Sequence, residues 1–265
     1  MKTLNANTLI PWTHWFFYGA TRSGKTELAA TFPRPFFVIP QNEASITTLM
    51  GRNVPYVLCS GPFDRFDEET GVGGMVGTKD AKGVFHDGII DKLEKLYRRN
   101  PKTFPYDTIV IESMSHYCDM VEEYLTNNAQ KQMDPLAWGK MKDHLRHLQL
   151  RLRKMQVHVV FTCLDDLKTN EKSGITTGGP LMSGRAARTL PSSCDVIGYT
   201  RKSGDRYFVH FKNYLHYYAG GRLPNLPAQV ENFDFAELEK YTLPQEPKSK
   251  VKPSVKNGAA KAAHK

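Results

Sequence analysis

The stretch that decides the fold reads Trp15-Phe16-Phe17-Tyr18 and then Gly19-Ala20-Thr21-Arg22-Ser23-Gly24-Lys25-Thr26. The first four residues form an apolar run typical of a buried strand, and the next eight match the pattern G-x-x-x-x-G-K-T. The helix-forming residues 27–30 follow. A strand that turns through glycines into a helix directs unpaired backbone N–H groups at one point, where the helix dipole is positive. The segment is therefore predicted to bind phosphate.

The residue types in this loop favour a nucleoside triphosphate. Gly19 and Gly24 allow backbone conformations and close approaches that a side chain would prevent. Lys25 can reach the β- and γ-phosphates, and the Thr26 hydroxyl can bind Mg²⁺. We find no N-K-x-D segment that would read guanine and no arginine-rich lid. A GTPase and a small-molecule kinase are therefore disfavoured.

Length and composition favour one α/β domain. The chain has 265 residues, of which 40% are hydrophobic, and no apolar run is long enough to span a membrane. The first residues lack a signal-peptide pattern, so we expect a cytoplasmic protein. The cysteines are far apart in sequence, which predicts buried free thiols: Cys59, Cys118, Cys163 and Cys194.

The formal net charge of +9 is concentrated at one end of the chain. Residues 244–265 contain six lysines and one glutamate, which leaves about +4 for the rest. A segment so rich in proline, lysine and alanine cannot bury enough surface to fold alone. We predict a folded domain over 1–243 and a disordered basic tail over 244–265. The tail either touches phosphate backbones transiently or only solubilises the protein.

Strand and helix patterns alternate along the chain, which predicts a mainly parallel sheet flanked by helices. Residues 196–199 and 207–211 flank a turn and predict a C-terminal antiparallel β-hairpin, with 214–218 as a further strand. Residues 71–77 are predicted to form a mobile loop or hairpin tip. Helical patterns over 87–99 and from Asp134 onward fill the space between strands. The expected strands lie at 15–18, 36–39, 54–59, 107–112 and 157–163.

Acidic residues follow three of the predicted strands. Glu112 ends the run Thr108-Ile109-Val110-Ile111, where phosphate-loop enzymes place a metal-side acid on a strand adjacent to the loop. Glu112 is expected to hold Mg²⁺ or to act as the base, unless it only caps the next helix. Glu43 follows the second strand and is a candidate for orienting the attacking water, unless it is a plain surface residue. Asp165 and Asp166 sense the γ-phosphate or form a solvated loop pair.

Basic and polar segments indicate further contacts. Arg222, on a turn-rich segment, could reach a neighbouring subunit's nucleotide or be an ordinary surface residue. Arg22 could touch nucleotide or DNA. The glycine-rich segment 168–180 is predicted to be a loop that grips a phosphate backbone or a disordered connection. The basic helix after Asp134 could bind nucleic acid or simply be solvated.

The order of these motifs resembles a known family. The loop Gly19–Thr26 and the run Tyr106-Asp107-Thr108-Ile109-Val110-Ile111-Glu112-Ser113 are similar to segments of phage-encoded RecA-like ATPases of single-strand annealing and recombination. The segments 180–184, 194–196 and 222–224 also follow the family's order. The resemblance implies a RecA-like phosphate-loop NTPase fold, ATP and Mg²⁺ as cofactors, and single-stranded DNA as partner.

The resemblance also implies roles for individual residues. Lys25 and Thr26 would bind phosphate and metal, Glu43 would activate water, and Arg222 would make the contact between subunits of a homo-oligomeric ring or filament. Glu112 stands where the family has Asp, and the expected lysine before Arg222 is missing. We therefore expect a DNA-stimulated, Mg²⁺-dependent ATPase that works with phage recombination or replication proteins. The alternatives are a helicase loader or replication ATPase, and a DNA-binding module that binds nucleotide without hydrolysing it.

Overall fold

The structure, a computed structural model, describes residues 12–127, 130–171, 173–223 and 225–242. The predicted basic tail at 244–265 lies outside these residues. The strands are β1 (His14–Gly19), β2 (Pro35–Pro40), β3 (Tyr56–Phe63), β4 (Val72–Val76), β5 (Thr78–Lys79), β6 (Phe85–His86), β7 (Thr108–Ile111), β8 (His158–Thr169), β9 (Thr176–Pro180), β10 (Val196–Ser203), β11 (Arg206–His210), β12 (Gly220–Gly221) and β13 (Gln229–Glu231). The helices are α1 (Lys25–Ala30), α2 (Ile46–Leu49), α3 (Ile89–Arg99), α4 (Met114–Leu125), α5 (Pro135–Lys154), α6 (Ala186–Ser192) and α7 (Phe235–Glu239), with a 3₁₀ turn at Pro101–Thr103.

One large sheet organises the molecule, in the order β13-β11-β10-β1-β8-β7-β2-β3-β4. The seven strands from β10 to β4 pair in parallel. Strands β11 and β13 extend one edge in antiparallel fashion, while β12 pairs with β10 and β9 with β8. The prediction of a mainly parallel sheet with a C-terminal antiparallel hairpin is confirmed.

Strand β1 shows why the central strands read as continuous apolar runs. All six of its residues are buried, because both faces of the sheet are covered. Phe16 and Tyr18 point into the core shared with α3, α4 and α5. Trp15 and Phe17 point into the core shared with α1 and α7. The alternation of side chains along a strand thus divides one apolar run between two cores.

The long helix α5 begins where the sequence predicts. Asp134 is its N-cap and accepts a hydrogen bond from the backbone N–H of Ala137 at 2.7 Å, and Pro135 occupies the first turn. The apolar stripe Met141, Leu145, Leu148 and Leu152 is buried. The helix therefore packs its apolar side on the sheet and presents its basic side to solvent.

The prediction of a mobile loop or hairpin tip at 71–77 is wrong, because Val72–Val76 forms the parallel edge strand β4. Its glycines serve close packing. A Cβ at Gly73 would lie 2.4 Å from Cα of Phe66, and one at Gly74 would lie 2.1 Å from the backbone nitrogen of Asp64. The chain segment crossing beside β4 therefore fits only because these residues have no side chains.

Two further predictions are corrected near the C-terminal edge. The segment 168–180 is not a single loop, because β8 continues to Thr169 and then turns back into β9 to form an antiparallel hairpin. Residues 214–218 do not add a full strand, since Tyr214 and Tyr217 pair with each other across a tight turn. In both places, pairing with a neighbouring segment rather than local sequence pattern decides the structure.

All four cysteines are buried free thiols, as predicted. Within the described ranges, no helix is long and apolar enough to cross a membrane.

Candidate nucleotide-binding site

The loop between β1 and α1 lies at the carboxyl edge of the parallel sheet. Gly19 is the last residue of β1, and a Cβ added there would lie 2.0 Å from the carbonyl oxygen of Thr200 on β10. Gly24 is the N-cap of α1 with φ of 90°, a left-handed conformation that favours glycine. Ala20, Thr21 and Arg22 are exposed, and Arg22 has a positive φ of 62°. The loop thus wraps around the start of α1, whose first N–H groups have no acceptor within the helix.

Lys25 is buried inside this loop. Its Nζ donates to the carbonyl oxygens of Gly19 at 2.8 Å and Ala20 at 2.9 Å, and to Ser23 Oγ at 3.3 Å. Burial lowers the pKa of Lys25, while the Glu112 carboxylate opposes this shift. The ammonium group is therefore poorly solvated and held by carbonyl oxygens, next to the point where α1 begins.

Glu112 meets the loop from the end of β7. Thr26 Oγ1 donates to Glu112 Oε1 at 2.9 Å. In the sheet, β8 lies between β1 and β7, the strand that carries Glu112. The carboxylate nevertheless contacts the loop, since parallel strands end at one common edge of the sheet.

The environment of Glu112 is unusual for a carboxylate. Glu112 is only 3% exposed. Burial raises the pKa of its carboxyl group to about 7, although the nearby Lys25 ammonium group acts in the opposite direction. Oε2 is buried and accepts no hydrogen bond from the described residues. A buried carboxylate oxygen without a hydrogen bond is energetically costly unless a cation or a proton binds to it.

The oxygen atoms of Thr26 and Glu112 fit Mg²⁺. Mg²⁺ prefers hard oxygen ligands, and proteins usually hold it with one or two side chains together with substrate phosphates. Glu112 Oε2 is the oxygen free to take part, either directly or through water. Thr26 and Glu112 are thus the residues that would hold the metal.

Glu43 lies beyond β2 and contacts the start of α4. Its Oε2 accepts a hydrogen bond from Ser113 Oγ at 3.0 Å and pairs with His116 Nδ1 at 2.5 Å. Burial raises the pKa of Glu43, but the hydrogen bonds from His116 and Ser113 outweigh it, so the net shift is downward. The same contact raises the pKa of His116. Glu43 is therefore held as a charged carboxylate near neutral pH.

Ser113 and His116, the partners of Glu43, are not among the site residues predicted from the sequence. The signal was present, since Ser113 directly follows Glu112 and His116 comes three residues later at the start of a helix, on the same face. Thr200 and Tyr207 are also not among the predicted site residues. The Thr200 hydroxyl lies 2.7 Å from Ser23 Oγ, and the Tyr207 ring would lie 3.0 Å from a Cβ at Gly24. Those contacts join distant parts of the chain and have no local pattern.

Asp165 and Asp166 lie on the part of β8 that runs past the loop. Leu164 pairs with Gly19, the last residue of β1, so Asp165 lies one residue beyond the carboxyl end of β1. The Asp165 carboxylate is one of the charges that act on Lys25, after burial and Glu112. Asp166 pairs with Lys168 at 2.8 Å. Asp165 therefore borders the candidate site, whereas Asp166 forms a half-exposed ion pair within the hairpin.

Arg222 lies near the amino ends of the parallel strands, whereas the loop lies at their carboxyl ends. Its backbone N–H donates to the carbonyl oxygen of Asp195, and its guanidinium group donates to the carbonyl oxygen of Ser192 at 2.9 Å. Asp195 is bonded to His14, the first residue of β1, whereas the loop follows Gly19 at its end. Five residues of strand span roughly 17 Å. Arg222 does not join the site of its own subunit, and a contact with a neighbouring subunit stays a prediction.

The loop geometry and the parallel sheet that carries it place this protein among the P-loop NTPases. Comparison with known families agrees: the model of an AAA domain family matches residues 13–223. The chain therefore belongs to this AAA domain family, and its function is that of a nucleotide-binding ATPase domain. No curated protein matches the sequence.

Proposed function

We propose that this protein hydrolyses ATP in an Mg²⁺-dependent reaction. The observation that carries the proposal is the hydrogen bond between Thr26 and the buried Glu112, formed beside Lys25. Three groups from two separate segments thus converge on the loop. Their chemistry, an ammonium, a hydroxyl and a carboxylate, suits a metal-bound triphosphate.

Lys25 binds the phosphates in this proposal. Its ammonium group donates to the carbonyl oxygens of Gly19 and Ala20, and a triphosphate seated in the loop would offer more strongly negative acceptors at the same place. The backbone N–H groups of residues 19–26 would bind the remaining phosphate oxygens. When bound, Mg²⁺ would neutralise charge on the phosphates.

Glu43 orients the attacking water. His116 and Ser113 hold its carboxylate in place and keep it ionised. The two acids of the site thus have their pKa values shifted in opposite directions, which is how similar groups take different roles. Glu112 is the metal-side acid, and it serves as the base when it is not engaged with the metal.

We further propose that single-stranded DNA stimulates the ATPase. The chain carries a formal net charge of +9, which favours a phosphate-backbone partner. The β8–β9 hairpin begins beside Asp165 at the site and extends beyond the sheet, with exposed Leu167 and Ile175. Because this hairpin begins next to the nucleotide site, it can move when nucleotide binds and so affect a bound DNA strand.

The wider role we propose is in phage recombination, annealing or replication, in the cytoplasm of the host cell. The support is the resemblance of the loop and of residues 106–113 to RecA-like phage ATPases. We propose a homo-oligomer, a ring or a filament, in which Arg222 reaches a neighbouring subunit's nucleotide. A helicase loader, and a nucleotide-regulated DNA-binding module that does not hydrolyse ATP, are the alternatives.

The decisive experiment measures ATP turnover with and without single-stranded DNA. Lys25→Ala is expected to reduce turnover by at least about 100-fold with an unchanged circular dichroism spectrum, because the phosphate charge loses its main partner. The control is Lys82→Ala, which changes an exposed lysine on the turn between β5 and β6. Tight ATP binding without turnover in the wild type would support the non-hydrolysing module, and unchanged affinity in Lys25→Ala would refute the site.

A further inference from the structure

A tight turn after β11 exposes an apolar side chain at its tip. Tyr214 and Tyr217 exchange two backbone hydrogen bonds of 2.9 Å, with Leu215 and His216 between them. Leu215 has a positive φ of 51° and is 78% exposed. A bulky non-glycine residue in the left-handed region is an outlier, and here it gains no burial in return. Strained residues of this kind are concentrated at functional sites.

Stacked rings hold this turn in place. The rings of Tyr217 and Tyr199 lie 4.0 Å apart and nearly parallel, and those of Tyr214 and His210 lie 4.1 Å apart. On its other side, Tyr217 packs against β9 so closely that a Cβ at Gly178 would lie 2.4 Å from its ring. The turn is therefore a fixed projection and not a free loop.

Positive charge accompanies these rings. The guanidinium carbon of Arg201 lies 4.3 Å from the Phe208 ring centre and 4.9 Å from that of Tyr214. Lys212 is exposed two residues before the turn. The carboxylates of Asp165 and Asp166 also act on Tyr217. A polyanion would therefore be attracted to Arg201 and Lys212 and repelled by Asp165 and Asp166.

We propose that the turn 214–217 binds single-stranded DNA through its exposed tip and inserts Leu215 between two of the bases. This inference rests on the proposed function and names a contact surface for the DNA. An exposed apolar tip with cationic groups nearby suits a single strand, because every base has an apolar face and every linkage carries a phosphate. Arg201 and Lys212 contact the phosphates beside the turn.

Backbone contacts join this turn to the nucleotide site. The carbonyl oxygen of His216 accepts a hydrogen bond from the backbone N–H of Gly178 at 2.7 Å. Gly178 lies opposite Leu167 on β8, and Leu164 of the same strand lies level with Gly19. A shift of the β8–β9 hairpin on nucleotide binding would move the turn with it.

Leu215→Asn separates this role from a structural one. Asparagine tolerates the left-handed conformation, so the melting temperature should stay the same or rise. Affinity for oligo-dT, measured by fluorescence anisotropy, should fall at least about fivefold, since a base contact is lost. The dependence of affinity on salt should keep its slope, whereas Lys212→Ala should make the slope shallower by about one unit. Basal ATP turnover should not change.

Leu150→Gln, an exposed leucine on α5, is the matched control and should bind oligo-dT normally. Tyr214→Leu keeps apolar volume, removes a stacking face and should also weaken binding. A 2-aminopurine base in the oligonucleotide should gain fluorescence on binding the wild type, because Leu215 separates it from its neighbouring base, and should gain less with Leu215→Asn. Equal affinity of Leu215→Asn and wild type would overturn the inference and leave the proposed function standing. No binding of oligo-dT by the wild type at low salt would overturn both the inference and the proposed stimulation by DNA, whereas the proposed ATP hydrolysis would stand.

Discussion

At the scale of single residues, two glutamates of the site are held in opposite states. Glu43 accepts hydrogen bonds from His116 and Ser113, so its charged form is favoured, while burial favours the neutral form of Glu112. The Glu43 contribution to stability is present above its ordinary pKa and is lost as pH falls through its lowered value. The His116 contribution is present below its ordinary pKa and is lost as pH rises through its raised value.

The raised pKa of Glu112 predicts that the stability of the folded protein depends on pH. Because its folded pKa is about 7 and its ordinary value is 4.5, the folded state holds a proton between these values that the unfolded state releases. The free energy of unfolding of the nucleotide-free protein should therefore fall as pH rises from 4.5 to 7. The loss attributable to Glu112 should be about 2–3 kcal/mol.

Urea unfolding at several pH values, with wild type and Glu112→Gln in parallel, measures this effect. The glutamine variant cannot release the proton, so its stability should change less over the same range. Glu123→Gln, an exposed residue of α4, is the control for a change of net charge. Identical pH dependence in wild type and Glu112→Gln would show that the buried carboxyl has an ordinary pKa.

At the scale of elements, β4 depends on residues that lack side chains. Gly61 and Gly74 are partners in the pairing of β3 with β4, but only Gly74 is crowded. Gly74→Ala is expected to lower stability by about 3 kcal/mol, because the new Cβ would overlap the backbone of Asp64. Gly61→Ala meets nothing within 4 Å and should change stability by less than about 1 kcal/mol.

Thermal unfolding of the two variants beside wild type tests this comparison. A small effect of Gly74→Ala, equal to that of Gly61→Ala, would mean that the segment around Asp64 does not cross beside β4 as described. Loss of stability in both variants would instead point to a general need for glycine in these strands.

The same strand shows which parts of the fold the sequence can predict. Runs such as 15–18 and 108–111 are buried on both faces, so composition alone marks them as strands. The cap and stripe of α5 are equally local. Residues 71–77 give a false signal, because their glycines look like a loop when the neighbouring chain that requires them is unknown. The order of strands is likewise not local, so the position of β8 between β1 and β7 could not be predicted.

For the candidate site, local motifs predict residues but not partners. The loop is predictable because one continuous segment supplies it, and Glu112 because it ends an apolar strand. That Thr26 contacts Glu112, and that His116 and Ser113 hold Glu43, depends on where strands end in the folded sheet. Arg222 was predicted from its place on a turn, and only the fold shows that it lies at the opposite edge from the loop.

At the scale of the whole molecule, the separation of Lys25 and Arg222 sets a condition on function. The loop lies at the carboxyl edge of the sheet, and Arg222 lies at the amino edge beside Asp195. One subunit cannot bring the two groups together without rearranging β1 and β10. If Arg222 takes part in hydrolysis, it must do so at a neighbouring subunit, through a head-to-tail contact.

Mixing two inactive variants tests this arrangement. Arg222→Ala keeps an intact loop, and Lys25→Ala keeps an intact arginine. In a randomly mixed oligomer with equal amounts of each, roughly a quarter of the sites would combine the intact loop of one subunit with the intact arginine of its neighbour. DNA-stimulated turnover should therefore recover to about a quarter of the wild-type value. The double variant mixed with wild type controls for simple dilution. If Arg222 acted only by pairing with Asp195 in its own subunit, the mixture would show no more activity than the sum of the separate variants.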